Sequence, residues 1–195
     1  MSLRYETLTG AGVEAALDDL ARLRITVFRD WPYLYDGDLE YERDYMASYR
    51  DAPGAILIAA YAGNRLVGAA TGTPMEDHAE AFAAPLAKAG LTAEQTFYCA
   101  ESLLLEQFRG QGAGHVFFDR REAHARSLDR THAVFCSVVR PLDHPMRPPD
   151  YRPLHPFWFK RGYAHVAEAF ASFSWKDVGA RDETEKPLQL WARKL

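Results

Sequence analysis

A glycine-rich turn is the first stretch of this sequence whose residue types and spacing could do chemistry. The turn reads Arg109-Gly110-Gln111-Gly112-Ala113-Gly114, and it separates an apolar run ending at Leu105 from a helical pattern. Glycine has no Cβ, so the main chain can approach a ligand closely there. The first N–H groups of the helix are unpaired and lie at the positive end of its dipole. These features predict an anion site from Arg109 to His115, suited to a pyrophosphate.

The spacing of the glycines excludes two common phosphate motifs. A Walker loop ends in Gly-Lys-Ser or Gly-Lys-Thr, and no lysine follows these glycines. The dinucleotide fingerprint needs G-x-G-x-x-G, but its third glycine would fall on His115 or on Phe117. What remains is Arg-x-x-Gly-x-Gly directly after an apolar strand. An ordinary tight turn has the same local pattern, so the turn alone does not decide the ligand.

A second stretch of the sequence, later in the chain, indicates which ligand the glycine turn binds. Phe157-Trp158-Phe159-Lys160-Arg161-Gly162-Tyr163 resembles the aromatic-x-Lys-x-Gly-Phe/Tyr segment of the GCN5-related N-acetyltransferases, the GNAT family. The turn after Arg109 resembles the acetyl-CoA-binding motif of the same family. The resemblance is specific over residues 101–163 and topological elsewhere. It implies one domain over residues 1–195, of the α/β (α+β) class, with a mixed, mostly antiparallel sheet of about seven strands flanked by helices.

The resemblance also implies an activity, which is transfer of an acetyl group from acetyl-CoA to a primary amine of a small molecule. In the family, the strand after the helix diverges from the central strand. The exposed main chain of the central strand, here Leu103, Leu104 and Leu105, then pairs with the pantetheine arm like an added strand. N–H groups near Leu104 would polarise the thioester carbonyl.

One position departs from the family pattern. Many members protonate the departing thiolate with a tyrosine four residues before the glycine of the aromatic segment, and that position is Trp158 here. Tryptophan cannot act as that acid, so Trp158 is assigned to the cofactor-binding residues. Tyr151 or another group takes over the acid role, or the thiolate leaves without help.

Glu101 is the candidate general base. Strand alternation predicts one shared face for five residues: Phe97, Cys99, Glu101, Leu103 and Leu105. Burial among apolar neighbours disfavours a charged carboxylate and would make Glu101 a stronger base. The alternative is a structural carboxylate paired with an arginine. The resemblance favours the base, because many members have an acid on this strand that draws the proton from the amine.

Two segments are candidates for the acceptor pocket. The loop around Pro32 carries Trp31, Tyr33 and Tyr35, which either anchor it on the core or wall the pocket. Arg140 to Pro156 contains six prolines and is either a rigid connector or a lid. Arg140 and His144 are its candidate substrate contacts. A closed pocket favours a small acceptor over a protein acceptor, whereas the missing tyrosine keeps a non-catalytic acyl-CoA sensor as an alternative.

Composition narrows the class further. The 195 residues are 48% hydrophobic with a net charge of −4, which argues against nucleic acid as a partner. No apolar run is long enough for a membrane span, and the N-terminus lacks the apolar core of a signal peptide. Cys99 and Cys136 lie in apolar runs and are expected to be buried reduced thiols, which favours a cytoplasmic location. No metal site is expected, and a homodimer remains open.

Periodicity predicts the elements that must position these residues. The predicted strands are Leu3–Leu8, Ala55–Tyr61, Leu66–Thr73, Thr96–Leu105, Ala133–Val139, Tyr163–Trp175 and Pro187–Lys194, with Lys176–Lys186 as a loop. Helices are predicted over residues 12–29, 38–50 and within Pro74–Leu91. In the helix after the glycine turn, a solvated face is expected for Arg120, Arg121, Glu122 and Arg126.

Overall fold

One seven-stranded sheet organises the chain, in a computed structural model that describes residues 2–195. Its strands are β1 (Arg4–Leu8), β2 (Ile56–Ala62), β3 (Arg65–Pro74), β4 (Thr96–Leu104), β5 (His132–Val138), β6 (Ala164–Lys176) and β7 (Glu183–Lys194). Their order in the sheet is β1-β2-β3-β4-β5-β7-β6. Within residues 2–195, the β4–β5 pair is parallel and the other five pairs are antiparallel. The predicted mixed, mostly antiparallel sheet of seven strands is confirmed.

Five helices cover the two faces of the sheet. They are α1 (Ala11–Phe28), α2 (Leu39–Asp51), α3 (Ala79–Ala89), α4 (Ala113–Ser127) and α5 (His155–Lys160). One face of β2, β3 and the end of β4 packs against α1 and α2. The opposite face packs against α4 and α5. A third apolar cluster joins α3 to β5, β6 and β7.

Most element boundaries lie within a few residues of the predicted ones, and β7 is the main exception. This strand begins at Glu183, four residues before the predicted start at Pro187. The run of charged residues before Pro187 suggested a loop. Those residues instead continue the antiparallel ladder, in which Glu183 pairs with Lys176 on β6. The connecting loop is therefore shorter than predicted.

A β-bulge in β4 reverses the alternation of its side chains. Thr71 pairs with Glu101 and Thr73 with Tyr98, so a two-residue step on β3 matches a three-residue step on β4. A bulge of this kind turns the following residues to the other face. Phe97 and Cys99 pack on the α4 side, whereas Leu103 and Leu105 pack on the side of α1 and α2. The predicted face shared by residues 97, 99, 101, 103 and 105 was therefore wrong.

The central strands separate soon after they begin. β4 pairs with β5 only from Thr96 to Tyr98, opposite His132 to Val134. Beyond that point β4 continues along β3 as far as Leu104, while β5 follows β7. A gap therefore opens between β4 and β5 beyond Tyr98.

Candidate active site

The gap exposes main-chain groups at one edge of β4. The N–H of Leu105 donates to the carbonyl of Val67 on β3 at 2.9 Å. Because N–H groups of successive residues point to opposite edges of a strand, Leu104 presents its N–H to the gap and Leu103 faces β3. Of the three residues assigned to pantetheine pairing, Leu104 is thus the one with a free edge. The side chain of Leu103 is buried in the core.

The glycine turn follows the end of β4, beyond the part of the strand that pairs with β5. Gly110 and Gly112 have left-handed φ angles of 75° and 86°, which explains the choice of glycine at both positions. A Cβ at either one would meet no atom within 4 Å, so the space beside them is open. Gly114 differs, because a Cβ there would lie 3.1 Å from the ring of Phe157. Packing of α5 on α4, rather than approach of a ligand, accounts for this third glycine.

Of the other residues assigned to the cofactor, Arg109 and His115 lie at the same turn and Trp158 lies in the aromatic core. Arg109 is exposed and its Nε lies 3.4 Å from the carbonyl oxygen of Leu104. His115, in the first turn of α4, lies against Phe157 with ring centroids 5.0 Å apart. Trp158 is partly buried, and its ring packs 4.9 Å from both Phe135 and Trp191. The Trp158 side chain packs against the core on the α4 side, and its indole has no proton acidic enough to protonate a thiolate.

Arg121 and Glu122 of α4 are buried, which corrects their predicted place on a solvated face. Arg121 donates to the carbonyl oxygens of Thr71 and Glu101, at 3.2 and 2.7 Å, and to Oγ of Ser102 at 2.9 Å. It thereby donates to main-chain carbonyls of both β3 and β4 beside the bulge. Glu122 accepts hydrogen bonds from Arg161 and Arg193. Helical spacing could not reveal either role, since both depend on partners distant in sequence.

We expect Arg121→Met to lower the free energy of unfolding by about 2 kcal/mol. Each buried carbonyl left without a donor costs about 1–3 kcal/mol, and removal of a buried charge offsets part of that loss. Urea denaturation of the purified variant measures the change. Arg126→Met, at an exposed position of the same helix, is the matched control. Equal stability of the two variants would contradict the role assigned to Arg121 at the bulge.

Glu101 lies just after the bulge and faces α1 and α2. Arg24 of α1 donates through Nη1 to Oε1 of Glu101 and through Nε to the carboxylate of Glu42 on α2. An ion pair with an arginine, the alternative considered for Glu101, is therefore present. The second carboxylate oxygen of Glu101, Oε2, is buried and has no hydrogen-bond partner among residues 2–195. That oxygen can still accept a proton or a hydrogen bond from a ligand.

Four tyrosines surround this carboxylate. Burial, reinforced by the negative charge of Glu101, raises the pKa of Tyr49 to about 12. The same two causes raise the pKa of Tyr33 and of Tyr45 above the ordinary value. Burial, with Cys136 as the next contributor, raises that of Tyr98. These hydroxyls therefore stay protonated at neutral pH and can donate hydrogen bonds.

The loop of residues 31–36, which carries the predicted acceptor residues and is called the acceptor loop below, is held in place through main-chain hydrogen bonds. Arg140 donates to the carbonyl oxygens of Pro32 and Tyr33, at 2.9 and 2.6 Å, and pairs with both carboxylate oxygens of Asp177 at 2.8 Å. The indole N–H of Trp175 donates to the same Tyr33 oxygen at 3.0 Å. All of these contacts close the loop over the side of the sheet that carries Glu101. The Arg140 guanidinium is thus engaged in holding the loop.

The proline-rich segment packs on the same loop. Trp31 contacts His144 and Tyr151, with ring centroids 5.1 and 6.0 Å away. Burial raises the pKa of Tyr151, and Tyr151 in turn contributes to the raised pKa of Tyr33. Tyr35 also lies inward, where burial and Glu42 raise its pKa. The structure therefore brings the predicted acceptor-side residues close to Tyr151, the predicted acid; these residues are Trp31, Tyr33, Tyr35, Arg140 and His144.

Sequence reasoning missed the charged partners of Glu101. Arg24 is 6% exposed and Glu42 is fully buried. A signal for Arg24 was available, because it stands at helical spacing from Leu17, Leu20 and Phe28 on the apolar stripe of α1. A charge on a buried stripe needs a partner. The identity of that partner follows only from the fold.

Two further observations concern residues 2–195. Among them no helix combines the length and the apolar character that crossing a membrane requires. No group of three or more His, Cys, Asp or Glu side chains in this part of the chain is placed to hold a metal ion.

Comparison with known proteins places this geometry in a family. The model of the acetyltransferase (GNAT) family matches residues 19–148, more than half of the chain. No curated protein matches the sequence at a significant level.

Several solved acetyltransferases share the fold. An aminoglycoside 6'-N-acetyltransferase in complex with coenzyme A is 15% identical, with a TM-score of 0.62 over 100% of this chain and 97% of its own. A ribosomal-protein-alanine N-acetyltransferase from Brucella melitensis is 13% identical, with a TM-score of 0.61 over all of both chains. The PaiA N-acetyltransferase from Thermoplasma acidophilum, also in complex with coenzyme A, is 11% identical, with a TM-score of 0.55 over all of both chains.

The family match covers the diverging strands, the bulge and the glycine turn described above. The open space beside Gly110 and Gly112 and the free edge of Leu104 suit the phosphates and the extended arm of coenzyme A. The chain therefore belongs to the GNAT acetyltransferase family, and acetyl-CoA is the co-substrate of its N-acetyltransferase activity.

Proposed function

We propose that this N-acetyltransferase acts on a primary amine of a small molecule, with Glu101 as the general base. The observation that carries the proposal is the buried Oε2 of Glu101, which has no hydrogen-bond partner within residues 2–195 and belongs to the part of β4 that no longer pairs with β5. A buried carboxylate oxygen without a donor is a ready acceptor for a proton from an amine. Holding the amine and the thioester in one cleft supplies proximity.

Each part of the site has a distinct task in this proposal. Acetyl-CoA supplies the acetyl group as an activated thioester. The turn from Arg109 to His115 and the start of α4 bind the pyrophosphate through main-chain N–H groups. Leu104 offers its N–H to the oxygen on which negative charge develops. Glu101 takes the proton that leaves the amine nitrogen as the new N–C bond forms.

A separate residue must protonate the thiolate of coenzyme A as it departs. Trp158 packs among core aromatics and has no acidic proton to give. Tyr151 keeps its proton at neutral pH, since burial raises its pKa, and it lies beside Trp31 at the acceptor loop. We assign the role to Tyr151 within this proposal.

A small acceptor is favoured over a protein by the closure of the pocket. Arg140 ties the loop at Pro32 and Tyr33 to Asp177, and Trp31 contacts His144 and Tyr151 from the proline-rich segment. An extended peptide would need an open groove along these segments. The solved neighbours include an aminoglycoside and a ribosomal-protein acetyltransferase, so their names support either acceptor class. The reduced, buried Cys99 and Cys136 support a cytoplasmic site of action.

The test is release of free thiol from acetyl-CoA in the presence of two panels of acceptors. One panel holds small primary amines, including amino sugars and amino acids, and the other holds peptides with free N-termini or lysines. We expect turnover with members of the small-amine panel only. Turnover confined to peptides would overturn the proposed acceptor class. Binding of acetyl-CoA without turnover on either panel would instead favour the acyl-CoA sensor.

A further inference from the structure

Three buried ionisable side chains contact one another where α1, α2 and β4 meet. Arg24 of α1 lies between Glu42 of α2 and Glu101 of β4 and donates to both carboxylates. The side chains of Arg24, Glu42 and Glu101 are 7%, 0% and 12% exposed. We call these residues the Arg24 triad. Its members come from three separate elements and meet only in the folded protein.

One guanidinium thus serves two carboxylates, so the fully ionised triad carries a net charge of −1. Burial alone would lower the pKa of Arg24, but the Glu101 and Glu42 carboxylates outweigh that cost and raise its pKa above the ordinary value. Arg24 therefore stays charged throughout the range in which carboxylates titrate. The positive charge of Arg24 attracts the Glu101 carboxylate, and the negative charge of Glu42 repels it. Both electrostatic interactions are strong because the site is poorly solvated.

We propose that Arg24 and Glu42 are positioning residues, which fix the orientation of Glu101 and set how readily its free oxygen accepts a proton. Arg24 holds Oε1 and leaves Oε2 for the amine. Glu42 also accepts from Arg24, so the guanidinium is divided between two carboxylates and Glu101 does not have it as a counterion of its own. This inference rests on the proposed function, in which Glu101 takes the proton from the amine nitrogen.

Other groups face Glu101 and must be considered in its titration. They are Tyr45 and Tyr49 of α2, Tyr33 of the acceptor loop and Tyr98 of β4, with Thr71 of β3 as the residue paired with Glu101 in the strand ladder. Cys136 of β5 lies near Tyr33 and Tyr98, and Arg121 contacts the main-chain carbonyl of Glu101 from the opposite face. Burial raises the pKa of the four tyrosines and of the Cys136 thiol, so all five stay neutral during a carboxylate titration. The charge on Arg121 is the same in every variant compared below.

The experiment follows protonation of Glu101 directly in the ligand-free protein, by NMR of ¹³C-labelled glutamate carboxyl groups. The Glu101 signal is identified by its loss in Glu101→Gln. We expect Glu42→Gln to lower the titration midpoint of Glu101 by about one pH unit, because the charge of Arg24 is then no longer shared. The substitution is isosteric, and Gln still accepts a hydrogen bond from Arg24.

A second variant moves the midpoint in the opposite direction. Arg24→Gln alone leaves two buried carboxylates without a counterion, so the variant tested is Arg24→Gln/Glu42→Gln, which removes one charge of each sign. Arg24 is the nearer of the two to Glu101. The midpoint is therefore expected above that of the wild type. Arg43→Gln, which breaks an exposed ion pair of α2 with Asp18, is the control and should leave the midpoint unchanged.

Opposite shifts in the two variants support the triad, because a purely structural role would not move the midpoint in opposite senses. An unchanged midpoint in Glu42→Gln, or one at or below wild type in the double variant, overturns it. The acidic limb of the kcat/KM profile should move in the same two directions. Failure of wild-type protein to acetylate any amine would overturn the proposed function instead, and the NMR titration would still decide the triad.

Discussion

Replacing Glu101 with glutamine is expected to lower kcat for acetyl transfer by about 10²–10⁴-fold, the range attributed to general base catalysis. Glutamine keeps the shape of the side chain and can accept the hydrogen bond from Arg24, but it cannot take a proton. Affinity for acetyl-CoA should be unchanged, since the cofactor residues lie beyond Leu103. Steady-state kinetics on an acceptor from the small-amine panel, together with calorimetry of acetyl-CoA binding, measures the two effects separately.

The pH dependence of this effect has a definite sign. At low pH most of the acceptor is protonated, so transfer depends strongly on a base that removes the proton within the site. As pH rises, more free amine is present in solution and the base is needed less. The deficit of Glu101→Gln should therefore be largest at low pH and shrink as pH increases. Glu80→Gln, at an exposed position of α3, is the control. A profile that matches wild type in shape and height would remove Glu101 from the mechanism.

Replacing Gly112 with tryptophan should weaken acetyl-CoA binding by about 100-fold or more, or about 2.7 kcal/mol of binding free energy. A large side chain at this position projects into the open space beside the turn, where the pyrophosphate is expected. The left-handed φ of 86° adds strain of about 1–3 kcal/mol, which lowers stability without unfolding an ordinary domain. Calorimetry gives the affinity, and thermal unfolding monitored by circular dichroism gives the cost in stability.

Gly90 supplies a matched control for this substitution. It also has a left-handed φ, of 66°, and a Cβ there would meet nothing within 4 Å. It follows α3, at the opposite end of β4 from the glycine turn. Gly90→Trp should carry a similar strain and keep full affinity for acetyl-CoA. Equal affinities in the two variants would show that the glycine turn is only a turn.

Local sequence patterns were sufficient for the sheet and for the glycine turn that follows β4. Seven apolar runs and the turn after Leu105 predicted the strands, and the resemblance over residues 101–163 predicted their arrangement. These features depend on residues close together in the chain. The turn from Arg109 to Gly114 carries its information in glycine φ angles and in the helix that follows.

The bulge and the buried charges could not be predicted in the same way. The three-residue step between Tyr98 and Glu101 has no marker such as glycine or proline, because it depends on pairing with β3 and on donors from Arg121. Simple alternation therefore placed Phe97 and Cys99 on the same face as Glu101, whereas they lie on the opposite face of the sheet. Glu42 lies in a charged helix, and only the packing of α2 on α1 shows that its side chain is fully buried.

The fastening of the acceptor loop has a consequence for how acceptor preference could diverge among relatives. Several contacts that hold Pro32 to Asp36 in place are made to main-chain atoms, beside the ion pair of Asp36 with Lys176 and the packing of Tyr33 on Phe28. Arg140 and Trp175 bind carbonyl oxygens, Val178 donates to the carbonyl of Leu34, and the N–H of Asp36 donates to the carbonyl of Lys176. Main-chain atoms are present whatever side chain stands at a position. Substitutions at Tyr33 or Tyr35 can therefore change the lining of the pocket while the loop stays anchored. We therefore expect relatives to differ in acceptor preference through side chains of this loop, without change to the glycine turn proposed to bind acetyl-CoA.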